Sequence, residues 1–193
     1  MLQGIQEHRG TMVTVQILLL TVVLILPSVE GLFFRNPQYS VTLDQLLGKW
    51  YITCWVGNLP IPAKKKFTPL PPFIFVKNVI GKLEFRMNIS KPIGCVQYKV
   101  YMDEDKYHSN IFYIWPKFSV IFAFIGGTDF AIATHVGRFN TEMEKVTMLM
   151  GRNMAPRPTV LLDFEDFVES LLLNKIDIIN PGCDDSCELS RQT

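Results

Sequence analysis

KLEFRMNI at positions 82–89 and CVQYKVYM at 95–102 decide the architecture. In the first segment Leu83, Phe85, Met87 and Ile89 fall on one face, and Glu84, Arg86 and Asn88 on the other. In the second, Val96, Tyr98, Val100 and Met102 alternate with Gln97, Lys99 and Tyr101. A period of two is that of a half-buried β-strand, because successive side chains leave a strand on opposite faces. Lys91-Pro92-Ile93-Gly94 separates the two segments and reads as a turn.

Working outward, further strands are predicted at Trp50 to Val56, Phe73 to Lys77, Tyr107 to Ile114, Phe118 to Phe124, Phe130 to Val136 and Val146 to Met150. Turn residues fall between them: Val79 to Gly81, Met102 to Asp105, Trp115-Pro116, Gly126-Gly127, and Gly137 to Glu144. Eight short, closely spaced strands suggest an antiparallel meander, and closure into an up-and-down barrel would remove its free edges. Two regions break the alternation. Gly57 to Pro72 carries five prolines around Lys64-Lys65-Lys66 and reads as a long surface loop with a solvated lysine tip. In Pro158 to Leu173, Val160, Phe164, Phe167, Val168, Leu171 and Leu172 recur near helical spacing, with Pro158 near the start. One amphipathic helix after all the strands would pack outside the sheet.

The chain has 193 residues, enough for one domain with a sizeable core. Lys plus Arg number 19 against 18 Asp plus Glu, and no basic block stands out, which argues against nucleic acid as a partner. ILLLTVVLIL at 17–26 is nearer the length of a signal-peptide core than the ~20 residues of a membrane span. Pro27-Ser28 breaks it, and no Lys or Arg cluster follows. Residues 1–31 are therefore expected to be a cleaved signal peptide, with Val29 and Gly31 at −3 and −1, a membrane anchor being the alternative. Met12 is an alternative start. The mature chain, 32–193, would be a secreted single domain and not a membrane protein. It keeps all four cysteines, at 54, 95, 183 and 187. In an oxidising compartment these suggest disulfides, and spacing does not choose among the pairings. No cofactor and no metal site is expected.

On particular residues, the chain resembles the lipocalin family from about Leu43 to Cys187. Gly48-Lys49-Trp50 is similar to the family's Gly-x-Trp at the start of the first strand. Thr128-Asp129-Phe130 is similar to its Thr-Asp-Tyr segment between the sixth and seventh strands, and Gly151-Arg152 to the Gly-Arg that ends the eighth. Ile176 to Ile179 resembles the short strand after the helix. Each motif alone is weak; together and in order they are specific. The resemblance implies an eight-stranded antiparallel barrel with one C-terminal helix outside, Trp50 at the narrow end beneath the Arg152 guanidinium, and Asp129 fixing the nearby loop. It also implies a disulfide from the fourth strand to the tail, Cys95 with Cys187 in preference to Cys183. Cys54 and Cys183 depart from the pattern; they would pair only if the tail passes near the first strand, and otherwise Cys54 reads as a buried thiol.

The function implied is extracellular transport of a small hydrophobic molecule, such as an odorant, retinoid, steroid or fatty acid. The expected lining is Phe85, Met87, Val96, Tyr98, Val100, Met102, Val120, Phe122 and Phe124, which contains no charge. Which face of the seventh strand points inward stays open. The Pro-rich loop would be the lid, with Leu59, Ile61 and Phe67 over the mouth. Alternatively, 14 Phe could fill the barrel and leave a secreted interaction protein whose outer loops meet a cell-surface receptor. Enzyme activity is not expected: one lipocalin branch uses a second-strand cysteine, and Pro72 to Lys77 has none. Asn88-Ile89-Ser90 is an N-glycosylation sequon.

Overall fold

The computed structural model describes residues 41–114, 118–139 and 142–188, so the expected signal segment lies outside the described residues. Eight strands follow one another: β1 Gly48–Gly57, β2 Phe73–Lys77, β3 Leu83–Lys91, β4 Gly94–Glu104, β5 Ile111–Ile114, β6 Phe118–Phe124, β7 Phe130–Phe139 and β8 Glu142–Gly151. Each pairs antiparallel with the next, and β8 returns to β1, closing the barrel. Short helices α1, Leu43–Leu46, and α2, Ala63–Lys66, precede β1 and β2; α3, Pro158–Ser170, follows β8. Among the described residues, no helix is long and apolar enough to cross a membrane.

The quoted hairpin has the register its alternation demands. Leu83 pairs with Met102, Phe85 with Val100, Met87 with Tyr98 and Ile89 with Val96. A slip of one residue would turn both apolar rows outward. Strand β7 is apolar on both faces because it is covered on both. Ala131 and Ala133 pack into the barrel core, while Phe130 and Ile132 pack under α3 against Val160 and Phe164. That double burial explains why alternation could not orient the strand.

Three elements differ from the sequence-based expectation. In the turn expected over Gly137 to Glu144, residues 137–139 belong to β7 and 142–144 to β8, and 140–141 lie outside the described residues. The strand expected from Tyr107 starts only at Ile111, because Asp105 organises the preceding turn. Its carboxylate accepts the backbone N–H groups of Tyr107 and His108, both at 2.9 Å, and the Tyr113 hydroxyl at 3.1 Å. The short strand expected at Ile176 to Ile179 is a 3-10 turn at Lys175–Asp177, stabilised by the Asn174 side chain, and only Ile179 pairs, with Trp55.

The narrow end is built on Trp50, which is fully buried. Its indole N–H donates to the Leu46 carbonyl at 2.7 Å. The Arg152 guanidinium lies 3.7 Å above the ring and donates to the carbonyls of Lys49 at 3.0 Å and Gln45 at 2.9 Å. The Arg152 backbone N–H donates to the Asp129 carbonyl at 2.9 Å. Burial disfavours the guanidinium charge, and the nearby Asp129 carboxylate offsets part of that cost. Gly48 has φ +95, a left-handed conformation that a side chain rarely adopts, and a Cβ there would approach Arg152 Nη1 to 3.2 Å.

Cys95 and Cys187 form a disulfide with a Cα–Cα distance of 5.6 Å, which ties the tail to the outer face of β4. Along its way the tail pairs at Ile179 with Trp55 of β1 and at Cys183 with Leu70. Cys54 and Cys183 are free; Cys54 is buried and Cys183 exposed. Burial pushes the Cys54 thiol up to about 11. A thiol reagent at pH 8 is therefore expected to titrate one thiol in the folded protein and two in denaturant; two fast-reacting thiols without denaturant would contradict the buried placement. In pH terms, the unfolded chain would ionise Cys54 near its ordinary 9.0, ahead of the folded chain. Its contribution is thus whole below pH 9 and lost as pH rises through about 11, on the order of 2–3 kcal/mol. Denaturant titrations across that range should show the loss in wild type and a shallower one in Cys54→Ala.

Candidate ligand site

The lower half of the barrel is filled. Phe75 meets Phe73, Phe85 and Phe122 edge-on, with ring centroids 5.4, 5.9 and 5.7 Å apart, and Phe112 meets Phe122 at 5.5 Å. Edge-to-face contacts satisfy the ring quadrupoles, so this stack is a packed core.

Above the stack a cavity of about 200 Å³ opens beneath the β1–β2 connection. Ile52 and Trp55 of β1 and Val146 and Met148 of β8 form its walls. Ile61, Lys65, Lys66, Thr68 and Leu70 of the connection form its roof. Ile52 and Met148 also touch the lower core, so the cavity continues the barrel interior upward. The expected plain loop thus contains helix α2, and it does lie over the mouth. Ile61 lines the cavity and Leu59 packs beside it, whereas Phe67 is exposed. Leu70 is held from outside, its N–H donating to Gly182 at 3.3 Å and its carbonyl accepting from Asp184 at 3.1 Å. The disulfide-anchored tail therefore fixes one end of the roof.

The residues singled out in the sequence divide into two groups. Phe122, Phe124 and Met102 are buried in the core, with Phe85, Met87 and Val120 packed against it. Val96, Tyr98 and Val100 share the inward register of Met102 but stand on the upper part of β4. There β4 is paired with β5 only at Asp103 and Glu104, and Tyr98 is 45% exposed. The cavity's own walls escaped the alternation because β1 is irregular between Ile52 and Cys54. The extra residue there moves Cys54 and Val56 outward under α3 and leaves Trp55 facing the cavity. Asn88 is half-buried on the outer face of β3, and its Oδ1 is enclosed with no hydrogen-bond partner among the described residues. Thr128 lies in the β6–β7 connection beside the narrow end.

No cysteine, histidine or carboxylate lines the cavity. Among the described residues, no three His, Cys, Asp or Glu side chains group as a metal site. The arrangement is that of a cavity with an apolar wall, a cover fixed at one end, and lysines at the rim.

No known family's sequence profile matches the chain, and no curated protein matches it. A solved structure of the siderocalin Ex-FABP, described as functioning through dual ligand specificities, is similar in shape, with a TM-score of 0.65. The two are 14% identical over 76% of this chain and 99% of that one. At that identity the likeness establishes the fold alone, a lipocalin-like barrel.

Proposed function

We propose that the protein is an extracellular carrier of a small hydrophobic molecule, held in the upper barrel beneath the Gly57-to-Pro72 cover. The observation that carries this reading is the apolar cavity walled by Ile52, Trp55, Val146 and Met148. Its size orders the candidates. A cavity of ~150 Å³ holds benzene, so about 200 Å³ encloses roughly eight non-hydrogen atoms. Odorant-sized molecules and the end of an alkyl chain fit; a retinoid or steroid would require the cover to swing out. The disulfide supports an oxidising compartment, and with it secretion after loss of residues 1–31. Glycosylation at Asn88 belongs to the same reading. Intact mass of the secreted protein before and after glycosidase tests both.

Trp55 supplies the functional readout. Titrating delipidated, oxidised protein with octan-1-ol is expected to change tryptophan emission with one-to-one stoichiometry, and Trp55→Phe to remove most of that change. Absence of binding by calorimetry as well would overturn the carrier reading. One observation favours a second role, as an interaction protein acting through its outer loops: Val79 and Ile80 at the β2–β3 turn are 104% and 70% exposed, beside Lys77, Lys82 and Lys99. Charged variants at Val79 and Ile80 that abolish cell-surface binding without touching octanol binding would support it.

A further inference from the structure

We infer that the molecule carried is an amphipathic monoanion, with its alkyl end against Trp55, Val146 and Met148 and its anionic head at Lys65 and Lys66. This rests on the carrier reading above and adds the chemical class of the guest. Lys65 and the half-buried Lys66 carry the ammonium groups of the cavity lining, and the Thr68 hydroxyl donates to the Lys64 carbonyl at 3.4 Å. The Trp55 indole N–H has no hydrogen-bond partner among the described residues. No carboxylate lines the cavity to neutralise them.

Of the other described lysines three are ion-paired, and Lys64, Lys77, Lys91, Lys99, Lys106 and Lys145 are not. Lys49 is paired with Glu188, Lys82 with Asp103 and Lys175 with Glu169. Among the described residues neither Lys65 nor Lys66 has an acidic partner. The two lie in the single turn of α2, which also carries Lys64. Their position at the rim matters as much as their charge. An alkyl chain entering from the mouth leaves its polar end there, where water is partly displaced and a charge-assisted hydrogen bond is stronger than in bulk solvent. The plainer reading, a solvated lysine tip, accounts for Lys64, which does not line the cavity. It does not account for two unpaired cations facing an apolar chamber. The cavity size matches the same guest, because a medium-length alkyl chain fills it and leaves the head outside. Carboxylate and phosphate heads share the chemistry.

The test uses delipidated, oxidised full-length protein and calorimetric titration with octanoate, octyl phosphate, octan-1-ol and octylammonium. Octanoate or octyl phosphate is expected to bind about tenfold more tightly than octan-1-ol, with octylammonium weakest. The better of the two anions identifies the head group. The K65M/K66M variant keeps the alkyl stems and is expected to bring the ratio of anion to octan-1-ol affinity, measured within the variant, from about ten to about one. K64M is expected to behave as wild type. Raising salt from 0.15 to 1 M should weaken the anions and spare the alcohol. Equal affinity for alcohol and both anions in wild type, or an anion advantage that persists in K65M/K66M, would overturn the anion assignment and leave the carrier standing. Binding of none of the four compounds would overturn both.

Discussion

Replacing Trp50 by alanine is expected to cost about 3–5 kcal/mol, the range for emptying a fully buried large aromatic site. The change removes the ring and also strands its partners. Leu46 loses the donor to its carbonyl, and Arg152 loses the face over which its guanidinium lies 3.7 Å away. Folded domains are stable by only ~5–15 kcal/mol in total, so the variant would be marginal. For a domain of this size the midpoint of thermal unfolding should fall by roughly 10 °C or more. Arg152→Ala should cost about 2–3 kcal/mol, because it removes two charge-assisted bonds and leaves the Lys49 and Gln45 carbonyls without their donor. Lysine is expected to rescue it only in part: a compact ammonium lacks the planar fork that donates to two carbonyls while its face covers the indole. A double-mutant cycle on Trp50 and Arg152 should return a coupling of about 0.5–2 kcal/mol. Denaturant unfolding measures all three quantities, and strict additivity would show that the stacked geometry contributes no stability.

The second large effect is expected from the disulfide. The C95S/C187S variant opens a closed loop with a sequence separation of 92, for which about 2–4 kcal/mol of stability is the usual loss. Removing both cysteines together prevents the exposed Cys183 from pairing with a stranded partner. The loss should not be confined to stability. The tail between Ile179 and Cys187 holds Leu70 through two backbone bonds, and Leu70 closes one side of the cavity. Octan-1-ol affinity should therefore fall in C95S/C187S at temperatures where the protein is still folded. Unchanged affinity alongside reduced stability would mean that the tail fixes the barrel without fixing the roof.

The barrel was legible because its strands alternate. The rows of β3 and β4 carry their own register, and Trp50, Asp129 and Arg152 meet at one end as the family resemblance implies. Strand β7 hid its orientation behind a second layer of burial supplied by α3, which period-two reading cannot detect. The site was less legible than the fold. Phe85, Met87 and Phe122 stand on rows that face the barrel core, but inward residues either fill a barrel or line a cavity, and alternation does not separate the two. Here the phenylalanines meet one another low in the barrel, and the empty volume lies above them. Trp55 could not be assigned from spacing, since the irregularity at Thr53 reverses the parity of β1. Lys65 and Lys66 read as a loop tip because nothing local shows that a loop folds back over a mouth. That is decided by where its ends are held, and Leu70 is held by the tail.

The central claim is that a guest sits in the upper barrel between β1, β8 and the cover. Methyl-labelled methionine tests it directly, because the methionines sample different heights of the barrel. Met148 lines the cavity, Met150 and Met102 lie in the filled core, and Met87 stands on the opposite strand pair. In methyl spectra of delipidated protein titrated with octan-1-ol, the Met148 resonance is expected to shift and to show nuclear Overhauser contacts with the alkyl chain, while Met102 and Met150 stay in place. A Met148 resonance unmoved at saturation, or contacts confined to Met87, would contradict the account.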